Sequence, residues 1–262
     1  MKKTILITGA ASGIGRATAL YFASKGWFAG LFDLNRKGLE ELYSAIGPEN
    51  AFSHPMDVRS HDDVRTCVEL MTRKTGRRLD VLFNCAGVLF MGPYSSISIH
   101  DQKKTVDINI TGILNLTDVC LPLLKAAQNA VIINMSSASA VYGTPELAVY
   151  SATKHAVRGL TEALNIEFEP HGIHVCDIMA PYVRTPMILN AEYKAASVSR
   201  LKVNLTPEQV AKTVFRACLK RKIHWKVGFT LKLLTAGAAI MPFAARFLTR
   251  TLAFSHPTGR SL

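Results

Sequence analysis

Short apolar runs alternate along this chain with longer stretches of helical periodicity. Ile5-Leu6-Ile7, Phe28 to Phe32, Val81-Leu82-Phe83, Val131-Ile132-Ile133 and His174 to Met179 are three to six residues long, several bounded by Gly, Asn or Asp. Runs that short and that uniformly apolar predict buried strands. Between them, Ile14 to Lys25, Arg36 to Ile46, His61 to Lys74, Lys103 to Ala127 and Val149 to Phe168 carry apolar residues at helical spacing. Ile223 to Val227 predicts a last strand. Strand–helix alternation of this kind predicts an α/β fold with a doubly wound parallel sheet of about seven strands, covered by helices on both faces. No internal repeat or low-complexity linker interrupts it. The reading is one domain, with a body over residues 1–228 and a C-terminal extension of the same domain over 229–262.

The first strand runs into Thr8-Gly9-Ala10-Ala11-Ser12-Gly13-Ile14-Gly15 and then a helix. Glycines permit a tight strand-to-helix turn and let backbone N–H groups approach a pyrophosphate, with the helix N-terminus adding donors and a favourable dipole. The spacing is GxxxGxG rather than GxGxxG. Asp33 ends the second strand, eighteen residues past Gly15. A carboxylate there can accept from adenosine ribose hydroxyls and repel a 2′-phosphate. It can equally cap the helix that follows. Tyr150 and Lys154, four apart in a helical stretch, share one helix face. Ser137 ends the strand before that helix, and Asn109 falls inside the earlier long one.

In combination these motifs resemble a short-chain dehydrogenase/reductase of the compact, single-domain branch, over residues 4–186. Thr8, Gly9, Gly13 and Gly15 match the family's cofactor turn, with Ser12 and Ile14 inside it. Asp57-Val58 matches an acidic pair that contacts adenine. Asn84-Cys85-Ala86-Gly87 matches an Asn-Asn-Ala-Gly strand, with Cys85 replacing the second Asn. Asn109, Ser137, Tyr150 and Lys154 match a catalytic tetrad, including the thirteen-residue step from Ser137 to Tyr150. Pro181-Tyr182 stands where many members have Pro-Gly, and Thr185 after it would meet the nicotinamide carboxamide.

The resemblance implies a Rossmann-like fold and hydride transfer between a nicotinamide cofactor and an alcohol or ketone; Asp33, with Ser12 rather than a basic residue in the turn, favours NAD over NADP, and the apolar loops after the strands favour a hydrophobic secondary alcohol or its ketone. Tyr150 would be the general base or acid, and Lys154 would favour the phenolate and hold the nicotinamide ribose. Ser137 would donate to the substrate oxygen, and Asn109 would anchor a relay water. Self-association through the two long helices, as a dimer or tetramer, is also implied. Two alternatives remain open: an NADPH-dependent ketoreductase, with Arg36 serving the 2′-phosphate, and a non-catalytic nucleotide-sensing scaffold.

Composition narrows the setting. Of 262 residues 48% are hydrophobic and 19% charged, enough for a sizeable core and too apolar for wholesale disorder. Five cysteines with no CxxC spacing fit a reduced, cytoplasmic protein. His171, His174 and Cys176 lie close together but lack a fourth ligand, so no metal is expected. The Met1-Lys2-Lys3 start is followed by an apolar run too short for a signal peptide, broken by Gly9, Gly13, Gly15 and Arg16. Leu233 to Ala245 is the longest uncharged apolar stretch, at thirteen residues; a spanning helix needs about 20.

The net charge of +12 is concentrated at the end: Gln209 to Leu262 holds ten Lys/Arg and no acid. An even balance elsewhere argues against a nucleic-acid partner. Leu89-Phe90-Met91, Val141-Tyr142, Tyr182-Val183 and Met187-Ile188-Leu189 follow site-bearing strands and predict an apolar substrate wall. In the tail, Phe229, Leu233, Ile240, Phe243, Phe247 and Leu248 recur at roughly helical intervals, broken at Pro242. Lys220-Arg221-Lys222, Lys226 and Lys232 precede or begin that run, and Arg246 and Arg250 lie within or after it. Two readings follow: a helix lying in an anionic membrane surface, or a segment packed on its own domain or a partner, covering the cleft.

Overall fold

The computed structural model describes residues 2–201, 203–228, 231, 232, 235 and 250. Seven strands form one parallel sheet: β1 (Thr4–Thr8), β2 (Phe28–Asp33), β3 (Ala51–Pro55), β4 (Val81–Asn84), β5 (Val131–Met135), β6 (His174–Met179) and β7 (His224–Lys226). Their order is β3-β2-β1-β4-β5-β6-β7. The connecting helices are α1 (Gly13–Ala23), α2 (Arg36–Ile46), α3 (His61–Thr75), α4 (Ile99–Val106), α5 (Gly112–Lys125), α6 (Ala148–Glu167), α7 (Pro186–Leu189), α8 (Ala196–Leu201) and α9 (Pro207–Ala217).

The continuous apolar runs resolve into two faces. In β1, Ile5 and Ile7 point to one core with Phe22, Leu39 and Val214, while Leu6 points to the other with Val64, Leu116 and Leu124. In β4, Val81 and Phe83 split from Leu82 in the same way, and in β5 Val131 and Ile133 split from Ile132. Residues i and i+2 share a face of a strand, so a strand covered on both sides must be apolar throughout. Each such side chain, fully buried, contributes about 1.5–3 kcal/mol.

Three features depart from the sequence pattern. β3 is a strand that periodicity does not predict: it reads Ala-Phe-Ser-His-Pro, and only Ala51 is fully buried. It is the sheet's edge, paired on one side only, from Ala29↔Ala51 to Asp33↔Pro55. An edge tolerates both polar residues and a terminal proline that lacks an N–H. The helix expected over 103–127 starts earlier and is not uniform, since a π-helical turn, Asp107–Thr111, joins α4 to α5. Helix α9 was also not apparent from apolar spacing; its Thr206–Gln209 capping box and Pro207 in the first turn are its local signals.

By length and apolar content Ile99–Lys125 could cross a bilayer, but Leu116, Cys120 and Leu124 are buried in the core. The tail residues Phe229, Leu233, Ile240, Pro242, Phe243, Arg246, Phe247 and Leu248 lie outside the described residues. Leu231 is described and is buried beside Ala138, Ala140 and Met179.

The chain leaves β1 toward β2 on one side of the sheet and later returns to β4 on the other. At such a switch point the loops diverge and open a crevice beyond the strands' carboxyl ends.

Candidate active site

That crevice is a cavity of about 340 Å³. One end is built by the glycine turn. Gly9 (φ +67°) and Gly13 (φ +52°) have left-handed backbones, which glycine adopts without steric cost. A Cβ on Gly15 would lie 2.1 Å from the Gly9 carbonyl oxygen. Ser12 stands at the N-cap of α1 without a side-chain capping bond, so the first-turn N–H groups face the cleft as anion donors. Behind the turn, the Thr8 hydroxyl accepts from the N–H groups of Cys85 and Ala86, both at 3.0 Å, tying the end of β1 to the loop after β4.

Asp33 braces the same turn. Its carboxylate accepts from the Ala11 N–H and the Asn35 N–H, each at 3.0 Å. The cap role left open for Asp33 belongs to Asn35, whose side chain accepts from the Gly38 N–H at 3.1 Å. Asp57 and Val58 also line the cavity. The Arg59 guanidinium grips the Asp57 carboxylate at 2.6 and 2.9 Å, holding it below the usual carboxylate range.

Asn84 lies off the cavity. Its Nδ2 donates to Asn134 Oδ1 at 2.9 Å, and Asn134 Nδ2 donates to Thr161 Oγ1 at 2.9 Å. This buried relay fastens β4 and β5 to α6. Ala86 and Gly87 line the cavity floor. A Cβ on Gly87 would come within 3.1 Å of Asn109 Oδ1. Asn109 is fully buried, in the π-helical turn. Its Oδ1 accepts from the Val88 N–H at 2.9 Å, and its Nδ2 donates to Val88 O at 3.1 Å and Thr153 Oγ1 at 3.3 Å. Both amide protons are committed; the second Oδ1 lone pair is the remaining side-chain position for a water.

Ser137 follows β5, and Tyr150 and Lys154 stand one turn apart on α6; all three line the cavity. Burial pushes the Tyr150 phenol up to about 12, and the neighbouring Ser137 hydroxyl works in the other direction. Lys154 Nζ donates to Met135 O at 2.8 Å and lies 5.5 Å from the Tyr150 ring centroid. Burial lowers its ammonium to about 8. In the protein by itself burial dominates at this phenol; the expected phenolate depends on the Lys154 charge together with the positive nicotinamide ring of a bound cofactor. Cys85, also on the cavity, is pushed up to about 12 by burial and is an inert thiol.

The lowered Lys154 value has a thermodynamic consequence. Folding disfavours its charged form, and this penalty is full below about pH 8. As pH rises from about 8 towards the ordinary lysine value of 10.5, the folded protein sheds the proton first and the penalty is relieved. Relative to the parent, Lys154→Met should be most favourable in stability below pH 8, and its relative stability should decline as pH climbs to 10. Denaturant midpoints of both proteins across that range measure this; a difference that grows with pH contradicts it.

Pro181, Tyr182 and Thr185 also line the cavity, and Thr185 packs on the glycine turn, its Cγ2 only 3.0 Å from where a Gly13 Cβ would sit. Of the expected substrate wall, Leu89, Tyr142, Tyr182, Val183, Met187 and Ile188 line the cavity. Phe90, Met91, Val141 and Leu189 do not: Met91 is buried against Leu147 and Ile188, and Leu189 is exposed. Thr144, Leu147, Ser197 and Leu201 line it without having been singled out from sequence, because they sit on turns and a short helix with no pattern of their own. Thus the structure brings together the predicted residues except Thr8, Asn84 and Asn109, which act from behind. Glycines whose Cβ atoms would strike backbone, a first helical turn with free donors and a carboxylate at the end of β2 together suit a dinucleotide.

The family model for short chain dehydrogenases matches residues 3–196. The chain is 32% identical over 218 residues to a 3-oxoacyl-(acyl-carrier-protein) reductase of Thermotoga maritima, covering 81% of this chain and 88% of that protein. It is 30% identical over 203 residues to a cyclohexanol dehydrogenase of Acinetobacter sp., covering 76% and 79% respectively. Among solved structures it is similar to a Brucella melitensis 3-ketoacyl-(acyl-carrier-protein) reductase complexed with NADH, at TM-score 0.78 and 28% identity, covering 86% of this chain and 96% of that one. A match of this extent, on a parallel sheet with a glycine turn at its switch point, makes the chain a member of the short-chain dehydrogenase/reductase family of oxidoreductases.

Proposed function

We propose that this protein is an NAD-dependent oxidoreductase interconverting a hydrophobic secondary alcohol and its ketone. The observation that carries the proposal is the position of Tyr150: it lines one cavity together with Ser137, Lys154, the glycine turn and the apolar wall, with Lys154 Nζ 5.5 Å from its ring centroid. When bound, the nicotinamide supplies the hydride acceptor or donor. The chain's own residues handle the proton and the placement. In reduction, the protonated Tyr150 donates to the carbonyl oxygen while Ser137 holds that oxygen by a hydrogen bond. In oxidation, Tyr150 takes the hydroxyl proton, and the Lys154 ammonium offsets the charge left on the phenol. Asn109 fixes the loop at Val88 and holds α6 through Thr153, keeping Tyr150 in register. The wall of Leu89, Leu147, Met187 and Ile188 excludes water from the reacting carbon.

NAD is preferred over NADP because Asp33 stands at the end of β2 with one protein donor on each carboxylate oxygen, leaving lone pairs for two ribose hydroxyls. A 2′-phosphate would meet that negative charge. A panel of cyclic and aliphatic secondary alcohols and their ketones, assayed with both cofactors through absorbance of the reduced nicotinamide, tests the reading. Higher kcat/KM with NAD is expected, and Asp33→Ala should narrow the preference. Equal or better efficiency with NADP overturns the cofactor choice, and no turnover of any pair overturns the substrate class.

A further inference from the structure

Glu146 occupies the turn between Thr144 and Leu147, both on the cavity wall, four residues before Tyr150. Its backbone is left-handed, at φ +65°. Glycine is the ordinary occupant of that conformation, and a long side chain remains there only where its surroundings over-determine it. Here they do so from two directions. The Glu146 carbonyl accepts from the Gly92 N–H at 2.9 Å, on the loop after β4. Its carboxylate accepts from the Tyr193 hydroxyl at 2.5 Å and from the Ala196 N–H at 2.8 Å.

Ala196 opens α8, and the next residue, Ser197, is fully buried with its Oγ 2.6 Å from the Tyr182 hydroxyl. Ser197 and Leu201 both line the cavity. One residue therefore joins three segments that line the cavity, its carbonyl holding the loop after β4 and its carboxylate tying the turn into α6 to residues 190–201. A turn needing only this backbone shape would be better served by glycine. Glutamate is strained there and repays that strain only through its carboxylate contacts.

We propose that Glu146 is a positioning residue that latches the segment 190–201 over the substrate end of the cleft and thereby sets its grip on apolar substrates. The latch stands on its own contacts; its effect on substrate choice rests on the reading of the cleft as an alcohol/ketone site. Two variants separate the carboxylate from the backbone. Glu146→Gly removes the latch while relieving the left-handed strain, and Glu146→Gln keeps one acceptor oxygen.

Amide hydrogen exchange, with thermal unfolding as control, reads the latch directly. Exchange across 190–201 should accelerate at least tenfold in Glu146→Gly, with the rest of the chain and the melting temperature little changed, and Glu146→Gln should fall between. With NAD and either cyclohexanol or cyclododecanol, KM should rise more than kcat falls, because Tyr150 and Ser137 ride on α6 and β5 rather than on the latched segment. Unchanged exchange at 190–201 overturns the proposal, as does acceleration spread over the whole chain with a fall in melting temperature. If the parent turns over neither alcohol, the choice of substrate is refuted, while the exchange result still decides the latch.

Discussion

Replacing Tyr150 by phenylalanine should lower turnover by about 10²–10⁴-fold, the range a positioned acid–base group contributes. The change removes one oxygen and keeps the ring, so the packing beside Leu147 and the 5.5 Å approach of Lys154 are retained. Cofactor affinity should be nearly intact, because the glycine turn, Asp33 and Lys154 are untouched. Titration with reduced nicotinamide by fluorescence, beside steady-state rates, separates the two effects. Full turnover by the variant would eliminate Tyr150 as the proton carrier. A matching loss of affinity would mean the phenol serves binding rather than chemistry.

The environments of Tyr150 and Lys154 show why the proposed mechanism assigns proton and charge to two residues. The same burial raises the phenol to about 12 and lowers the ammonium to about 8. Each shift favours a neutral group, so near neutral pH the phenol carries its proton but is a weaker acid than a free tyrosine, and the ammonium keeps its charge only narrowly. Lys154 compensates through its bond to Met135 O at the end of β5. In the proposed reaction, the proton source and the charge that would stabilise its loss are thus held by adjacent turns of α6 against one strand.

What could be read from the sequence was whatever repeats or concentrates along the chain. The central strands were legible because burial on both faces demands unbroken apolar runs, and the candidate site residues stood out because Gly13 and Gly15, or Tyr150 and Lys154, lie within a few residues of one another. β3 was not, since an edge strand need satisfy only one neighbour and can read Phe-Ser-His-Pro. The π-helical turn at Asn109 leaves the apolar spacing almost undisturbed, so the expected helix ran through it. Supporting contacts were the least legible: Thr153, Thr161 and Asn134 act across separations of up to 50 residues, and no local spacing announces them. Glu146 was hidden for a related reason. Its left-handed turn calls for glycine, and the glutamate makes sense only beside a segment 50 residues later.

Gly15→Ala should be the most damaging single methyl group at any described glycine. Local propensity argues the other way, since alanine favours a helix over glycine by about 1 kcal/mol. The new Cβ, however, would lie 2.1 Å from the Gly9 carbonyl oxygen and 2.7 Å from its carbon, both backbone atoms. The turn cannot retreat cheaply. The Ala10 N–H is bonded to Phe32 O at 3.1 Å, the Ala11 N–H to Asp33, and Thr8 to the loop after β4. Overpacking of this kind costs about 1–3 kcal/mol, or a fall of roughly 2–12 °C in melting temperature for a chain of this size. Affinity for reduced nicotinamide should fall at least tenfold, because the displaced atoms belong to the turn proposed to hold the phosphates. Gly159→Ala is the internal control: Gly159 lies in α6 with nothing within 4 Å of its Cβ position, so that variant should match or slightly exceed the parent in stability. If Gly15→Ala behaves like Gly159→Ala in both melting and titration, the close approach of α1 to Gly9 is not what the turn depends on.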